Sequence, residues 1–488
     1  LSVRRHASYN LVGSILPLLL SLVTVPIYLK LIGPDRYGVL AIAWLLLGYF
    51  GLFDLGLGRA TSYRIAALRD ASAESRANTF WAALTVNVGM GVIGGVALWV
   101  AARLFFGQAF KVDEGLRPEI LTATPLLAAS VPVATLTGVL SGALQGREKF
   151  LQTNTVSVTS TAMFQLFPLG LAWAFGPNLV LLLGGALSAR LLSALALGCL
   201  CHLELTKGHP RRLDRREIPL LMKYGGWVTL TSCFGPLLVI VDRFVIGAVL
   251  GAVAVTTYTV PMQLAQRLAI VPSALTTALF PKMSAQAPEE QRAIGAMATR
   301  TLVALISLPV LGGVFLIEPF LRLWVGAEIG GQAGPLGRLM LIGFWANAFA
   351  LVPFTRLQAS GRPDIVTKVL LIEIPPYFLA LYLGMTHFGL LGAGFVLVAR
   401  HISDCLLLTW AAGRDFRNLP LLAGNLALLA LAAAAASIWS IADIGWWSSA
   451  VALSLISLAT GYWALPKEIK AQLVGKLRQA GLVNQAGN

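Results

Sequence analysis

Four arginines of this chain, Arg190, Arg243, Arg267 and Arg400, fall well inside long apolar runs. A guanidinium in hydrocarbon costs about 2.5–3.5 kcal/mol on insertion scales. It is also a planar fork of donors that matches phosphate and carboxylate oxygens. Four of them within apolar segments therefore point to a protein-lined cavity that receives an anion. Arg267 is the leading candidate, because it falls near the middle of its run with Gln263 and Gln266 on neighbouring turns, where their amides can hydrogen-bond hydroxyl groups. Structural pairing with a carboxylate or with helix-end carbonyls is the competing role for each arginine. Arg400 precedes Asp404 by four residues, so an intrahelical ion pair is open to it. Asp242 and Arg243 are adjacent and so lie on different faces of a helix, which predicts partners elsewhere for one or both. Asp54 and Glu373 are two further intramembrane carboxylates, candidates with Asp242 and Asp404 for ion coupling or gating. An interhelical salt bridge, with Arg59 in the case of Asp54, is the alternative.

The elements that must position these groups follow from composition. The chain has 488 residues, 57% hydrophobic and 12% charged, about half the charge content of a soluble domain. Apolar runs fall at about 10–32, 38–62, 78–106, 119–143, 151–175 and 178–203. They resume at about 223–249, 253–279, 297–319, 335–357, 366–387, 390–411, 421–441 and 445–465. Each is long enough to cross hydrocarbon. None alternates as a barrel strand does, and a helix satisfies its own backbone without water. The expected fold is an all-α polytopic membrane protein of about fourteen transmembrane helices.

The net charge of +15 would raise nucleic acid as a partner for a soluble protein. Here Lys and Arg gather in alternate connections, as retention of positive loops in the cytoplasm requires. Residues 204–222 hold Lys207, Arg211, Arg212, Arg215 and Arg216, whereas the next outer turn back along the chain, Gly176-Pro177-Asn178, has no charge. Both termini are expected inside, with no nucleic-acid partner. The run after Arg4 and Arg5 continues past Pro26 without a small-residue cleavage site and reads as a retained first span. The tail 466–488, with Lys467, Lys470, Lys476 and Arg478 among apolar residues, suits an anionic inner leaflet or plain solvation.

Several chemistries are set aside. Cys199, Cys201, Cys233 and Cys405 show neither a disulfide framework nor metal spacing and read as small core residues. Residues 89–94, Gly-Met-Gly-Val-Ile-Gly, match a dinucleotide pattern but lie mid-span with no strand before them. Gly91 and Gly95 there form a small-xxx-small pair for close helix packing. With no Walker sequence and no His-Glu-x-x-His, no cofactor, metal or catalytic residue is expected. No connection could house a soluble catalytic domain.

An internal duplication organises the spans. Leu-Gln-Gly-Arg-Glu-Lys at 144–149 has its counterpart in Leu-Gln-Ala-Ser-Gly-Arg-Pro-Asp at 357–364, and Phe175-Gly176 in Phe388-Gly389, both at an offset of 213. Ala189-Arg190 and Ala399-Arg400 follow in the sixth span of each copy. The expected organisation is a six-helix bundle over 1–203, a cytoplasmic linker over 204–222 and a pseudo-symmetric six-helix bundle over 223–412. Two added helices over 413–465 and a basic tail over 466–488 complete it. Two such halves suit a substrate path at their interface that opens alternately to each side. Pro17, Pro26, Pro375 and Pro376 suggest kinks that let helices flex.

Several segments, in order along nearly the whole chain, carry a family likeness. They are Asn10-Leu-Val-Gly-Ser, YLKLIGPDRYG at 28–38, GLFDLGLGRA at 51–60, IVDRFVIGAVLG at 240–251 with the Tyr258 segment, ALFPKMS at 278–284 and FLRLWVG at 320–326. Together they resemble the Wzx-type polysaccharide flippases of the multidrug, oligosaccharidyl-lipid and polysaccharide exporter superfamily. The resemblance implies transfer of undecaprenyl-pyrophosphate-linked oligosaccharide across the bacterial cytoplasmic (inner) membrane, without nucleotide hydrolysis and not as an enzyme. The implied partners are the lipid-linked oligosaccharide, membrane lipids and polysaccharide polymerase machinery. On that reading the interior arginines would meet pyrophosphate and the glutamines sugar hydroxyls. Lipid II flippases and multidrug or cation antiporters of the same superfamily are the near alternatives, and a membrane polysaccharide polymerase is a remoter one. The fourteen spans disfavour the multidrug exporters, which usually have twelve, and the short outer connections disfavour the polymerase.

Overall fold

A computed structural model of the chain describes residues 2–49, 57–68, 70–208, 218–219, 241–466 and 470. Among these, every regular element is helical. Asp54 and Cys233 lie outside the described residues, as do 209–217 and nearly all of the tail. Nine described helices are long and apolar enough to cross a bilayer, so the chain is a multi-pass membrane protein. Its lipid-facing surface is apolar: Trp173 is 80% exposed and Leu323 88%, a pattern that only hydrocarbon tolerates on this scale. The chain forms two compact units that meet in sequence between Thr256 and Thr257.

In the first unit, α1 (Ser2–Tyr49) is two helices joined at Gly33, whose φ of 76° lies in the left-handed region. Across that turn Tyr28 packs edge-on against Trp44 with ring centres 5.1 Å apart. There follow α2 (Leu57–Ala67), α3 (Ala73–Leu104), α4 (Arg117–Gly146), α5 (Phe150–Phe175), α6 (Leu179–Cys201) and α7, over 241–249. Helix α4 is central and packs on α2, α3 and α6. Its approach to α3 uses the small pair anticipated above: a Cβ on Gly91 would come within 2.8 Å of Pro132 Cα, and one on Gly95 within 2.8 Å of the Ala128 carbonyl. The helix ends are tied by charge. Arg36 pairs with Glu119 at 2.9 Å, and Glu119 also accepts from the backbone N–H of Leu179 in the first turn of α6. Arg117 donates to the carbonyls of Phe106 and Gly107, where α3 ends in a wide π turn. Lys149, after α4, pairs with Glu204, beyond α6, at 2.7 Å.

The second unit contains most of span eight as α8 (Ala252–Ala265), a 3-10 turn (Gln266–Ala269) and α9 (Ile270–Ser284), with α8 beginning in the first unit. Next come α10 (Pro288–Val325), α11 (Ala327–Ala359), α12 (Pro363–Ala411), α13 (Leu419–Ile438) and α14 (Ile444–Ala464). Helix α11 forms the core and packs on α10 and α12. Helix α12 is a hairpin that turns at Gly389, its one non-helical residue. Gly384 and Gly392 face each other there so closely that a Cβ on Gly392 would overlap the Gly384 carbonyl. Pro375 and Pro376 lie within the first arm without interrupting its helical dihedrals.

The cysteines divide. Cys201 is buried, its thiol 3.4 Å from the Leu140 carbonyl, as a small core residue should be. Cys405 is half-buried, but Cys199 is exposed on α6, which corrects its expected core position. Cys199 stands nine residues after Arg190, half a turn round the helix from it, and so faces away from that arginine.

Candidate functional site

The interior arginines occupy four different environments. Arg190, on α6, is half-buried and lines a cavity of about 260 Å³ formed by α4, α5 and α6. Its guanidinium lies over the ring of Phe164 at 4.8 Å. Much of the rest of the lining is hydroxyl: Thr137 and Ser141 from α4, Ser157, Ser160 and Thr161 from α5, and Ser193 from α6. A cationic fork, an aromatic face and a wall of hydroxyls form a polar recess inside a helical bundle, which bare hydrocarbon could not stabilise.

Arg243, on α7, is 3% exposed and Asp242 1%. The two pair with each other at 3.3 Å, and the backbone N–H of Arg243 donates to the same carboxylate oxygen at 2.6 Å. The adjacent residues thus neutralise one another, and each also takes part in a further interaction. The arginine side chain is long enough to fold back along the helix surface, and burial makes a neutral pair far less costly than a lone charge. Arg243 is thus already engaged by a carboxylate, which weakens its claim as a ligand for a transported anion.

Arg267 sits in the 3-10 turn Gln266–Ala269 that interrupts span eight between α8 and α9. Such a turn tightens the backbone in mid-span and marks a place where a helix can bend. Arg267, Gln263 and Gln266 are all half-buried. Among the described residues Arg267 has no ion pair, and its buried Nε has no hydrogen-bond partner. The mid-span cation therefore has unused donor capacity.

Arg400, on the second arm of α12, lies over the ring of Tyr377, on the first arm, at 5.1 Å. The ion pair that four-residue spacing allows with Asp404 does not form. Between the arms, Ser403 donates to Glu373 at 3.0 Å and is also 2.9 Å from the Arg400 carbonyl. Glu373 is 5% exposed, with its second carboxylate oxygen buried and without a hydrogen-bond partner. Arg400, Glu373 and Asp404 are thus gathered along one hairpin, with the serine and the aromatic ring mediating. Spacing along one helix could not reveal this, because Glu373 and Ser403 are thirty residues apart and meet only through the reversal at Gly389.

One polar knot escaped the sequence altogether. Arg338, on α11, is 4% exposed. It holds Glu318 of α10 at 2.7 Å and the hydroxyl of Ser437 on α13 at 2.8 Å. Glu318 also pairs with Arg322 at 2.7 Å, one turn along α10. The i,i+4 spacing of Glu318 and Arg322 was a legible signal, but nothing in the order of residues announces Arg338 as their partner. Near the other end of the unit, Arg300 donates to the Ala464 carbonyl at 3.0 Å and lies over Trp463. Among the described residues no group of His, Cys, Asp and Glu is placed to hold a metal ion.

Known proteins share this architecture. The lipid II flippase MurJ, in an inward closed conformation, superposes with a TM-score of 0.69 at 14% identity, over 97% of this chain and 99% of that one. An inward-facing multidrug resistance MATE family transporter of the MOP superfamily gives 0.65 at 15% identity, over 84% and 98%. At these identities the likeness is one of fold. In sequence, a Shigella flexneri protein named for O-antigen transport is 28% identical over 411 residues, 84% of this chain and 97% of its own length. The family model described as polysaccharide biosynthesis protein matches residues 3–286. Residues 28–38 and 240–284, which carried the likeness in the sequence, lie within that match, and the chain belongs to the polysaccharide biosynthesis protein family.

Proposed function

We propose that the protein is a flippase, not an enzyme. It moves undecaprenyl-pyrophosphate-linked oligosaccharide from the inner to the outer leaflet of a bacterial cytoplasmic membrane for polysaccharide synthesis. Two six-helix bundles would work by alternating access, with the last two helices as an addition, both termini in the cytoplasm and polymerase machinery receiving the product. The family assignment and the relative named for O-antigen transport support this reading.

The observation that carries it is Arg267. A half-buried guanidinium in a mid-span 3-10 turn, with no ion pair among the described residues and two glutamines beside it, suits an anionic, hydroxyl-rich headgroup that arrives and leaves. A static structural arginine would be paired at rest, as Arg338 is with Glu318. Arg190 and Arg400 would hold the headgroup at aromatic-backed positions, while Asp54, Asp242, Glu373 and Asp404 would serve coupling or gating.

The test is export of surface polysaccharide by cells in which Arg267→Ala replaces the native protein. Export should be lost at unchanged membrane abundance, and Arg267→Lys should restore it only in part because it keeps the charge without the fork. Normal surface polysaccharide in the alanine variant would remove Arg267 from the mechanism.

A further inference from the structure

The cavity beside Arg190 has a hydrogen-bonding character more specific than polarity. Thr137 donates its hydroxyl proton to the Val133 carbonyl at 2.8 Å, Thr153 to Lys149 at 2.9 Å, Thr161 to Ser157 at 2.9 Å and Ser193 to Ala189 at 3.0 Å. A hydroxyl has one proton and two acceptor lone pairs. With the protons committed to helix carbonyls, these four side chains can offer only lone pairs to an occupant. Arg190 offers only donors, and Phe164 beneath it supplies an aromatic face.

These features narrow the occupant. A metal cation would suit the lone pairs but not the guanidinium beside them. A bare phosphate would suit the guanidinium and Ser141, Ser157 and Ser160, whose protons are not so committed, but brings only acceptors to the four hydroxyls that can only accept. An acyl chain would leave the polar lining without partners. A pyranose ring satisfies every part, because each hydroxyl both donates and accepts. Its donors meet the threonine and serine oxygens, its acceptors meet the guanidinium, and one apolar ring face can lie against Phe164. The volume of about 260 Å³ has room for such a ring, since each water takes about 30 Å³ of liquid.

We propose that this cavity, lined by α4, α5 and α6 of the first unit, is a subsite for a single sugar ring. Arg190 holds adjacent hydroxyls, or the carboxylate of a hexuronic acid. That the sugar belongs to exported cargo rests on the flippase reading; the chemistry of the cavity does not.

Full-length protein in lipid nanodiscs, probed by saturation-transfer NMR with methyl glucopyranoside, methyl galactopyranoside and methyl glucuronopyranoside, tests it. At least one glycoside should bind. Thr137→Val combined with Thr161→Val keeps shape but removes two acceptors, and should weaken binding on the order of tenfold. Ser160→Leu, which fills the space, should abolish it, while thermal unfolding verifies that both variants are folded. Excess inorganic phosphate should not compete. Failure of all three glycosides to bind, equal binding by the variants, or displacement by phosphate would each overturn the proposal. Surface export in cells that lack the protein reads the flippase assignment separately, and normal export there sinks it whatever the cavity binds. Surface export in Arg267→Ala cells reads the role of Arg267. Sugar binding with normal export in those cells sinks only the role of Arg267 in transport, whereas lost export without sugar binding sinks only the cavity.

Discussion

The guanidinium of Arg190 lies 4.8 Å above the ring of Phe164. On the α12 hairpin Arg400 lies 5.1 Å above Tyr377. Phe164 and Tyr377 are 213 residues apart, the offset that also relates Phe175-Gly176 to Phe388-Gly389. The arginines differ by 210, so the second is displaced by three residues along its helix, which returns it to nearly the same face. In both places an arginine of one helical segment thus lies on an aromatic ring of the segment before it. A ring face is an effective place to hold a guanidinium in low dielectric, because the quadrupole partly replaces lost water. Phe164→Leu should lower thermal stability in detergent by about 0.5–2 kcal/mol and reduce export. Arg190→Lys should keep most of the stability but lose more export, since an ammonium does not present a fork. Equal effects of the two substitutions on both readouts would argue against a ligand-facing role for Arg190.

The same offset joins two turns. Glu148, after α4, has φ 61°, and its counterpart Gly361, after α11, has φ 71°. A side chain is strained in that region by about 1–2 kcal/mol and glycine is not. Gly361→Ala should therefore destabilise the protein by about 1 kcal/mol, while Glu148→Gly should be neutral or stabilising by less than about 1 kcal/mol. Unfolding curves of the two variants in the same micelle should shift in opposite directions or in one direction only for Gly361. A large loss from Glu148→Gly would show that contacts of the glutamate outweigh the strain.

The Glu318–Arg338 pair is buried on the arginine side, with Arg338 at 5% side-chain exposure and Glu318 at 20%. Arg338→Ala strands Glu318 with only the more exposed Arg322, and should cost roughly 3–5 kcal/mol. Replacing both residues with apolar ones of similar size, Glu318→Leu with Arg338→Met, should recover most of that loss. A double-mutant cycle on thermal unfolding measures the coupling, and additive losses would mean that the pair is not a unit.

Between α12 and α13, Asp415 pairs with Arg417 at 2.8 Å. The hydrogen bond from Arg417 holds the Asp415 carboxyl below its ordinary range. A carboxyl whose folded pKa is depressed contributes stability that is fully present above its unfolded value, near pH 4, and is lost as pH falls through the folded value. Asp415→Asn should therefore lower stability slightly at neutral pH and remove part of its decline below about pH 4. Both effects should shrink at high salt, because Arg417 is largely exposed. An acid profile identical to that of the parent would remove Asp415 from the balance.

What was legible in the sequence was set by chemistry that acts locally. A bilayer admits only self-satisfied backbone, so long apolar runs had to become helices, and the spans expected from residue 78 to 175 appear as α3, α4 and α5. A positive-φ turn needs a permissive residue, so Gly176 and Gly389 marked two reversals, 213 residues apart. Arg190 and Arg400 could be singled out because charge in hydrocarbon is costly wherever it occurs. What these charges touch was another matter, because partners in a helical bundle are chosen by which faces meet. A uniformly apolar helix gives no sequence mark of its facing side. Only the tertiary structure could bring Arg338 to Glu318 and Ser437, set Glu373 against Ser403 across the α12 hairpin, and fold Arg243 back onto Asp242. It also turned scattered serines and threonines of α4, α5 and α6, ordinary helix residues when read one at a time, into one hydroxyl wall facing Arg190.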